Sequence, residues 1–124
     1  MSYLIVFLGA GIGGSLRHGV NIIAPRLFGT SLPFGTMFVN LAGSLMMGLI
    51  VGYLAFRGDA AQATRLFLTT GILGGFTTFS AFSLDVSVLL ERGDLAGAAI
   101  YGGLSVAGSV LALFVGLWFA RTVF

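Results

Sequence analysis

The part of the chain best suited to chemistry is a glycine-rich segment followed by hydroxyl and phenylalanine side chains. It runs from Gly71 to Ser83, with the sequence GILGGFTTFSAFS, inside a stretch that carries no charge. We predict that a helix is interrupted here, near residues 74–78, since glycine weakens helices. An unpaired backbone group is costly in lipid, so an interrupted helix is tolerated only inside protein or beside a cavity. The segment therefore predicts a binding site.

Polar side chains in the neighbouring apolar stretches recur at a spacing that places them on single helix faces, because residues three or four apart are neighbours on a helix. Asn40 is the hardest of them to bury, since its amide carries two donor hydrogens and a carbonyl oxygen that need partners. It either joins two helices by hydrogen bonds or donates into a polar path. Three sets of polar side chains each share a helix face: Thr36, Asn40 and Ser44; Tyr101, Ser105 and Ser109; and Ser80, Ser83 and Ser87. Phe79 and Phe82 lie on a face adjacent to the last set.

The chemistry of these side chains favours a small anion. Hydroxyl and amide hydrogens carry partial positive charge, and so do the edges of aromatic rings. Only Asp85 among the acidic residues lies in or near an apolar stretch, where it either pairs near the end of the third helix or faces water. Arg17 either extends to the lipid headgroups or gathers anions in a vestibule.

The composition indicates that membrane helices must position these groups. Mean hydropathy is +1.07, and charged residues make up 8% of the 124 residues, against about 25% in soluble domains. A spanning helix needs about 20 apolar residues. Three uncharged stretches meet that length, and the first one does so if its helix runs past Arg17 to about Ile23. We predict an all-α membrane protein with one integral membrane domain over residues 1–124. Its helices are expected at about 3–23, 34–56, 64–90 and 95–122, with the third one broken near 74–78.

Several function classes do not fit this chain. It has no cysteine, which excludes disulfides and thiolate chemistry. Its six basic residues are scattered arginines, so we expect no nucleic acid partner. It shows no nucleophile–base pair, HExxH or phosphate-loop pattern, so we expect no enzyme.

The arginines also bear on orientation, since four spans divide them three against three between the two sides. Positive residues normally set which side faces the cytoplasm. Either the amino terminus or another factor decides the orientation, or both orientations insert and pair as an antiparallel dimer.

Three motifs resemble the CrcB/Fluc fluoride channels, and the likeness extends over the whole chain. They are GGSLR at 13–17, GTMFVNLAGS at 35–44 and the segment at 71–83, of which the last is the most specific. The resemblance implies a fluoride-selective channel that passively exports fluoride from the cytoplasm and protects the cell against fluoride toxicity. It also implies a multi-pass protein of the cell membrane, inner or plasma, that forms an antiparallel dual-topology homodimer with two pores.

The resemblance further implies roles for single residues. Gly74 and Thr77 match positions whose backbone carbonyls, from both subunits, hold a structural sodium ion at the dimer centre. Arg17 matches the family arginine. The implied pore positions are Asn40, Phe79, Phe82, Tyr101, Ser105 and Ser109, and the hydroxyl faces add Thr36, Ser80 and Ser83 to the predicted lining.

Two other functions compete with a channel. A small multidrug-type proton antiporter also has four helices and dual topology, but it needs a carboxylate in the first helix, and this chain has none there. A membrane scaffold without transport would leave the polar faces unexplained. Ion flux through the purified protein separates these alternatives.

Overall fold

The computed structural model describes residues 1–57 and 61–124, and the regular elements in these ranges are all helical. Four helical stretches are long and apolar enough to cross a membrane, which confirms the predicted all-α protein with four membrane-spanning segments. They are Ser2–Phe28, Phe34–Ala55, Gln62–Glu91 and Leu95–Val123.

The third span consists of several shorter elements, whereas each of the other spans is a single helix. The single helices are α1 (Ser2–Phe28), α2 (Phe34–Arg57) and α6 (Leu95–Val123). The third span contains α3 (Gln62–Arg65), a π-helix (Leu66–Leu73), α4 (Gly74–Phe76) and α5 (Ser80–Glu91). Residues 77–79, here called the 77–79 segment, lie between α4 and α5.

The first helix continues past the predicted end at Ile23 and includes Pro25. A proline in the last turn removes only one backbone hydrogen bond, which leaves the remainder of the turn intact. The helix ends instead at Gly29, whose φ of 82° takes the chain into the left-handed region and whose N–H donates to the Pro25 carbonyl at 3.0 Å. The terminating signal is therefore the glycine.

The second and last helices pack closely because glycines on each admit the backbone of the other. A β-carbon at Gly48 would overlap the Leu113 carbonyl, and one at Gly116 would overlap the Leu45 carbonyl. Small residues allow such approach between membrane helices, where lipid provides little hydrophobic driving force for association. The α2–α6 pair thus forms one wall of the molecule.

The glycines of the third span serve the same purpose against α1. A β-carbon at Gly75 would lie 2.9 Å from the Ala10 Cα atom, and one at Gly71 would lie 3.0 Å from the Gly9 Cα atom. We expected the interruption around Gly74 and Gly75, but both are helical residues of α4. Extended backbone begins one turn later, at Thr77 (φ −88°, ψ 157°).

Candidate functional site

A cavity of about 380 Å³ lies between α2, α6 and the 77–79 segment. It brings together seven of the residues singled out from the sequence, which come from three separate spans. They are Asn40, Ser44, Thr77, Phe79, Phe82, Ser105 and Ser109. The helical spacing of the polar side chains therefore predicted part of this lining, and other members of the same predicted faces, such as Thr36 and Tyr101, do not belong to it.

Asn40 joins α2 to the 77–79 segment through two hydrogen bonds with the backbone of one residue, Thr78. Its Nδ2 donates to the Thr78 carbonyl at 2.9 Å, and its Oδ1 accepts from the Thr78 N–H at 2.8 Å. The side-chain amide replaces the backbone partners that a continuous helix would provide for Thr78. A second Nδ2 hydrogen remains, so the interhelical bonds and a role as a donor at the cavity are compatible.

Arg17 also satisfies the backbone of the third span. Its Nε donates to the Gly75 carbonyl at 3.1 Å, and the residue is half-buried. In a continuous helix that carbonyl would accept from the N–H of Phe79, one turn further on. This bond ties Arg17 to the protein backbone, and the headgroup and vestibule roles of Arg17 both stay predictions.

Ser105 and Ser109 place hydroxyl groups at the cavity without a partner. Both oxygens are buried, and neither makes a hydrogen bond to any described residue. Ser105 is only 4% exposed. A buried polar group without a partner costs about 1–3 kcal/mol, so such groups require an explanation. A ligand that accepts hydrogen bonds in the cavity would provide one.

Three aromatic rings follow one another along one side of this site. The centroids of Phe79 and Phe82 lie 5.5 Å apart with the rings tilted by 43°, and those of Phe82 and Tyr101 lie 5.3 Å apart with a tilt of 37°. Phe79 is 73% exposed, whereas Phe82 is 9% exposed. The site therefore opens to the surroundings at Phe79.

Tyr101 is fully buried and binds a carboxylate that the sequence left without a role. Its hydroxyl donates to Asp85 Oδ2 at 3.0 Å, with Thr36 as a further hydrogen-bond partner. Asp85 and Thr36 line a second cavity of about 380 Å³, formed by the end of α1, the start of α2 and α5. Thr36 thus belongs to this second space, and Asp85 is paired within the protein.

Three predicted lining residues are not among the residues that line either cavity. They are Tyr101, which is fully buried, and Ser80 and Ser83, which are exposed. The Ser80 Oγ lies 3.3 Å from the Thr78 Oγ1. A pore role for Ser80 and Ser83 stays a prediction.

Thr78 is the residue that sequence reasoning missed, although it lines the first cavity and binds Asn40 through its backbone. A buried asparagine amide can bind both the N–H and the carbonyl of one residue only where that residue is free of helical bonds. The combination of a mid-span asparagine with an interrupted helix could therefore have indicated that such a residue would lie opposite Asn40.

Comparison with known proteins shows one family model that matches this chain and several relatives that are similar to it. The family model described as "CrcB-like protein, Camphor Resistance (CrcB)" matches residues 4–117. The chain is 58% identical over 121 residues to Fluoride-specific ion channel FluC 2 of Nitrobacter hamburgensis, covering 98% of both chains. It is 54% identical over 123 residues to Fluoride-specific ion channel FluC of Rhodopseudomonas palustris, covering 99% of both. The FluC protein of Hyphomonas neptunium is 55% identical over 123 residues, with 98% of this chain and 97% of the relative covered.

Proposed function

The chain belongs to the CrcB-like family, and on that premise we propose that it is a fluoride-selective channel that passively exports fluoride from the cytoplasm. Its relatives are named as ion channels, and its four spans make it a multi-pass membrane protein rather than an enzyme. One observation carries the proposal: two buried serine hydroxyls without partners share a cavity with Asn40 and two phenylalanine rings. Passive export would protect the cell against fluoride toxicity.

The lining of this cavity fits a small anion that must lose its water. Fluoride holds its hydration shell strongly, so a narrow path has to offer replacement donors, and the Ser105 and Ser109 hydroxyls and the Asn40 amide are such donors. The edges of the Phe79 and Phe82 rings add partial positive charge. No charged residue is among those that line the cavity, and weak sites let an ion leave as readily as it enters.

The test is fluoride efflux from liposomes that contain the purified protein, followed with a fluoride electrode. We expect efflux that is driven by the fluoride gradient alone and that exceeds chloride efflux under the same conditions. Absence of fluoride flux would contradict the proposal and favour a scaffold. Flux that requires a proton gradient would favour an antiporter.

We propose that the channel is an antiparallel dual-topology homodimer with two pores, because a single chain leaves the site incomplete. Phe79 is largely exposed beside the cavity, and Gly74 is exposed as well, although both lie within a membrane span. A second copy would enclose this face. The even division of arginines between the two sides supports insertion in both orientations.

Single-cysteine labelling measures the orientation without background, since the natural chain has no cysteine. We expect Thr30→Cys, in the exposed connection between α1 and α2, to react with an impermeant thiol reagent in two portions. One portion reacts on intact vesicles, and the remainder reacts only after the vesicles are opened. Labelling from one side alone would contradict dual topology.

We also propose that backbone carbonyls of Gly74 and Thr77 hold a sodium ion at the dimer centre. The Thr78 N–H donates to Asn40, so the Gly74 carbonyl lacks its usual helical donor, and Gly74 is exposed. Thr77 is extended, which takes its carbonyl out of the helical pattern. Carbonyl oxygens suit a hard cation, and two per chain require a second copy to complete the set. The ion would supply positive charge between the subunits.

Replacing Ser105 by alanine tests whether its hydroxyl serves fluoride conduction or the stability of the fold. Because that hydroxyl is buried without a partner, we expect Ser105→Ala to leave the melting temperature unchanged or raise it by a few degrees. Fluoride efflux should fall several-fold, because a donor is lost. A lower melting temperature with unchanged efflux would contradict the role of this hydroxyl as a fluoride ligand.

A further inference from the structure

We infer that Gly43 is a positioning residue: by admitting the Thr77 methyl group, it sets the distance between α2 and the 77–79 segment, and with it the Asn40–Thr78 pair. The inference rests on the proposed fluoride channel. Gly43 itself makes no contact with the ion, and its role is to hold the Asn40 amide in position.

The geometry around Gly43 leaves no room for a side chain. Gly43 is buried, lies one turn after Asn40 on the same face of α2, and lines the same cavity. A β-carbon at Gly43 would overlap the γ-methyl of Thr77 and would lie 3.3 Å from Cδ2 of the Phe76 ring. Gly43 therefore allows α2 to lie close to Thr77.

Thr77 cannot turn its methyl group away without loss. Its hydroxyl donates to the Leu73 carbonyl at 3.0 Å, and its backbone N–H donates to the same oxygen at 3.0 Å. A β-branched side chain has few accessible rotamers, and rotating it would break the hydroxyl bond. A side chain at position 43 would therefore push α2 and the segment apart.

Such a displacement acts directly on Asn40. Its two hydrogen bonds with Thr78 are 2.8 and 2.9 Å long, which is the optimal range, so separation of the two elements weakens both. The amide would lose its fixed orientation at the cavity.

Gly43 differs from Gly48, another tightly packed glycine of α2. At Gly48 the opposing group is the Leu113 backbone carbonyl, which no substitution can remove. At Gly43 it is a side-chain methyl group, which Thr77→Ser deletes while the hydroxyl and the backbone carbonyl remain. A steric conflict at position 43 can therefore be relieved at position 77.

The experiment compares fluoride efflux from liposomes for the natural protein, Gly43→Ala, Thr77→Ser and the double variant. We expect Gly43→Ala to lower efflux about tenfold or more in the natural background, since overpacking of this kind is costly. In the Thr77→Ser background, the same substitution should change efflux less than about twofold. A loss that does not arise from contact with the Thr77 methyl group would not be rescued in this way.

Gly48→Ala is the matched control, because it places the same methyl group on the same helix against a backbone carbonyl. Thr77→Ser should not restore its efflux. An equal loss from Gly43→Ala in both backgrounds, or normal efflux of Gly43→Ala alone, would overturn the inference. If Gly43→Ala does not fold, recovery of folded, conducting protein in the double variant supports it, and failure to recover overturns it. Absence of efflux in the natural protein would instead reject the channel function.

Discussion

Replacing Asn40 by alanine should reduce fluoride efflux by about a hundredfold or more, which is the largest effect that we expect from a single polar substitution. The Thr78 N–H and carbonyl would both lose their partner in a membrane span, at about 1–3 kcal/mol each. The cavity would also lose its only amide. The measurements are liposomal fluoride efflux and the melting temperature, and we expect both to fall.

Two comparisons separate the possible causes of that loss. Asn21→Ala removes the other asparagine of the chain, which is exposed in α1, and should leave efflux unchanged. Asn40→Asp keeps an oxygen that can accept from the Thr78 N–H but removes donation and adds negative charge, so efflux should stay low while stability recovers in part. Normal efflux in Asn40→Asp would contradict a donor role at the cavity.

Replacing either phenylalanine by isoleucine should strongly reduce or abolish fluoride efflux. Isoleucine keeps much of the volume and the apolar character of phenylalanine, but it has no ring whose edge carries partial positive charge. Phe82 is buried against Tyr101 within one chain, so Phe82→Ile should also lower the melting temperature.

A matched substitution outside the cavity tests whether the rings act on the ion. Phe114 is exposed on α6 and is not among the cavity-lining residues, so Phe114→Ile should conduct fluoride normally. Normal efflux in both Phe79→Ile and Phe82→Ile would reject the assignment of the pore to this cavity. Loss in Phe82→Ile alone would indicate that the buried ring acts mainly through packing.

The polar residues of the site have a shared structural task that bears on these experiments. Asn40 binds the N–H and the carbonyl of Thr78, and Arg17 binds the Gly75 carbonyl, so two spans satisfy backbone groups that the third span cannot pair internally. Water is not available to do this in lipid. Substitutions at either position therefore change the backbone of the third span, and functional losses need a stability measurement beside them.

Much of the architecture could be predicted from the sequence, because hydropathy and helical periodicity are local properties. The length of the uncharged stretches predicted four spans, and the spacing of Asn40, Ser105 and Ser109 predicted polar faces that meet in one cavity. The phenylalanine pair was placed beside that cavity for the same reason. These features require only a regular helix and the side chains along it.

The tertiary contacts of the site could not be predicted, because they depend on which residue of another span lies opposite each side chain. The local sequence pattern does not contain that information. The partners of Asn40, Arg17 and Asp85 are the backbone of Thr78, a carbonyl and a tyrosine hydroxyl from distant parts of the chain. The π-helix adds residues to each turn, so a face counted at the α-helical period does not continue across Leu66–Leu73. Gly75, which suggested an interruption, instead admits the backbone of α1. Sequence alone therefore determined the spans and the chemical character of the site, whereas contacts between the spans decided where the backbone leaves the helix and which groups hold it.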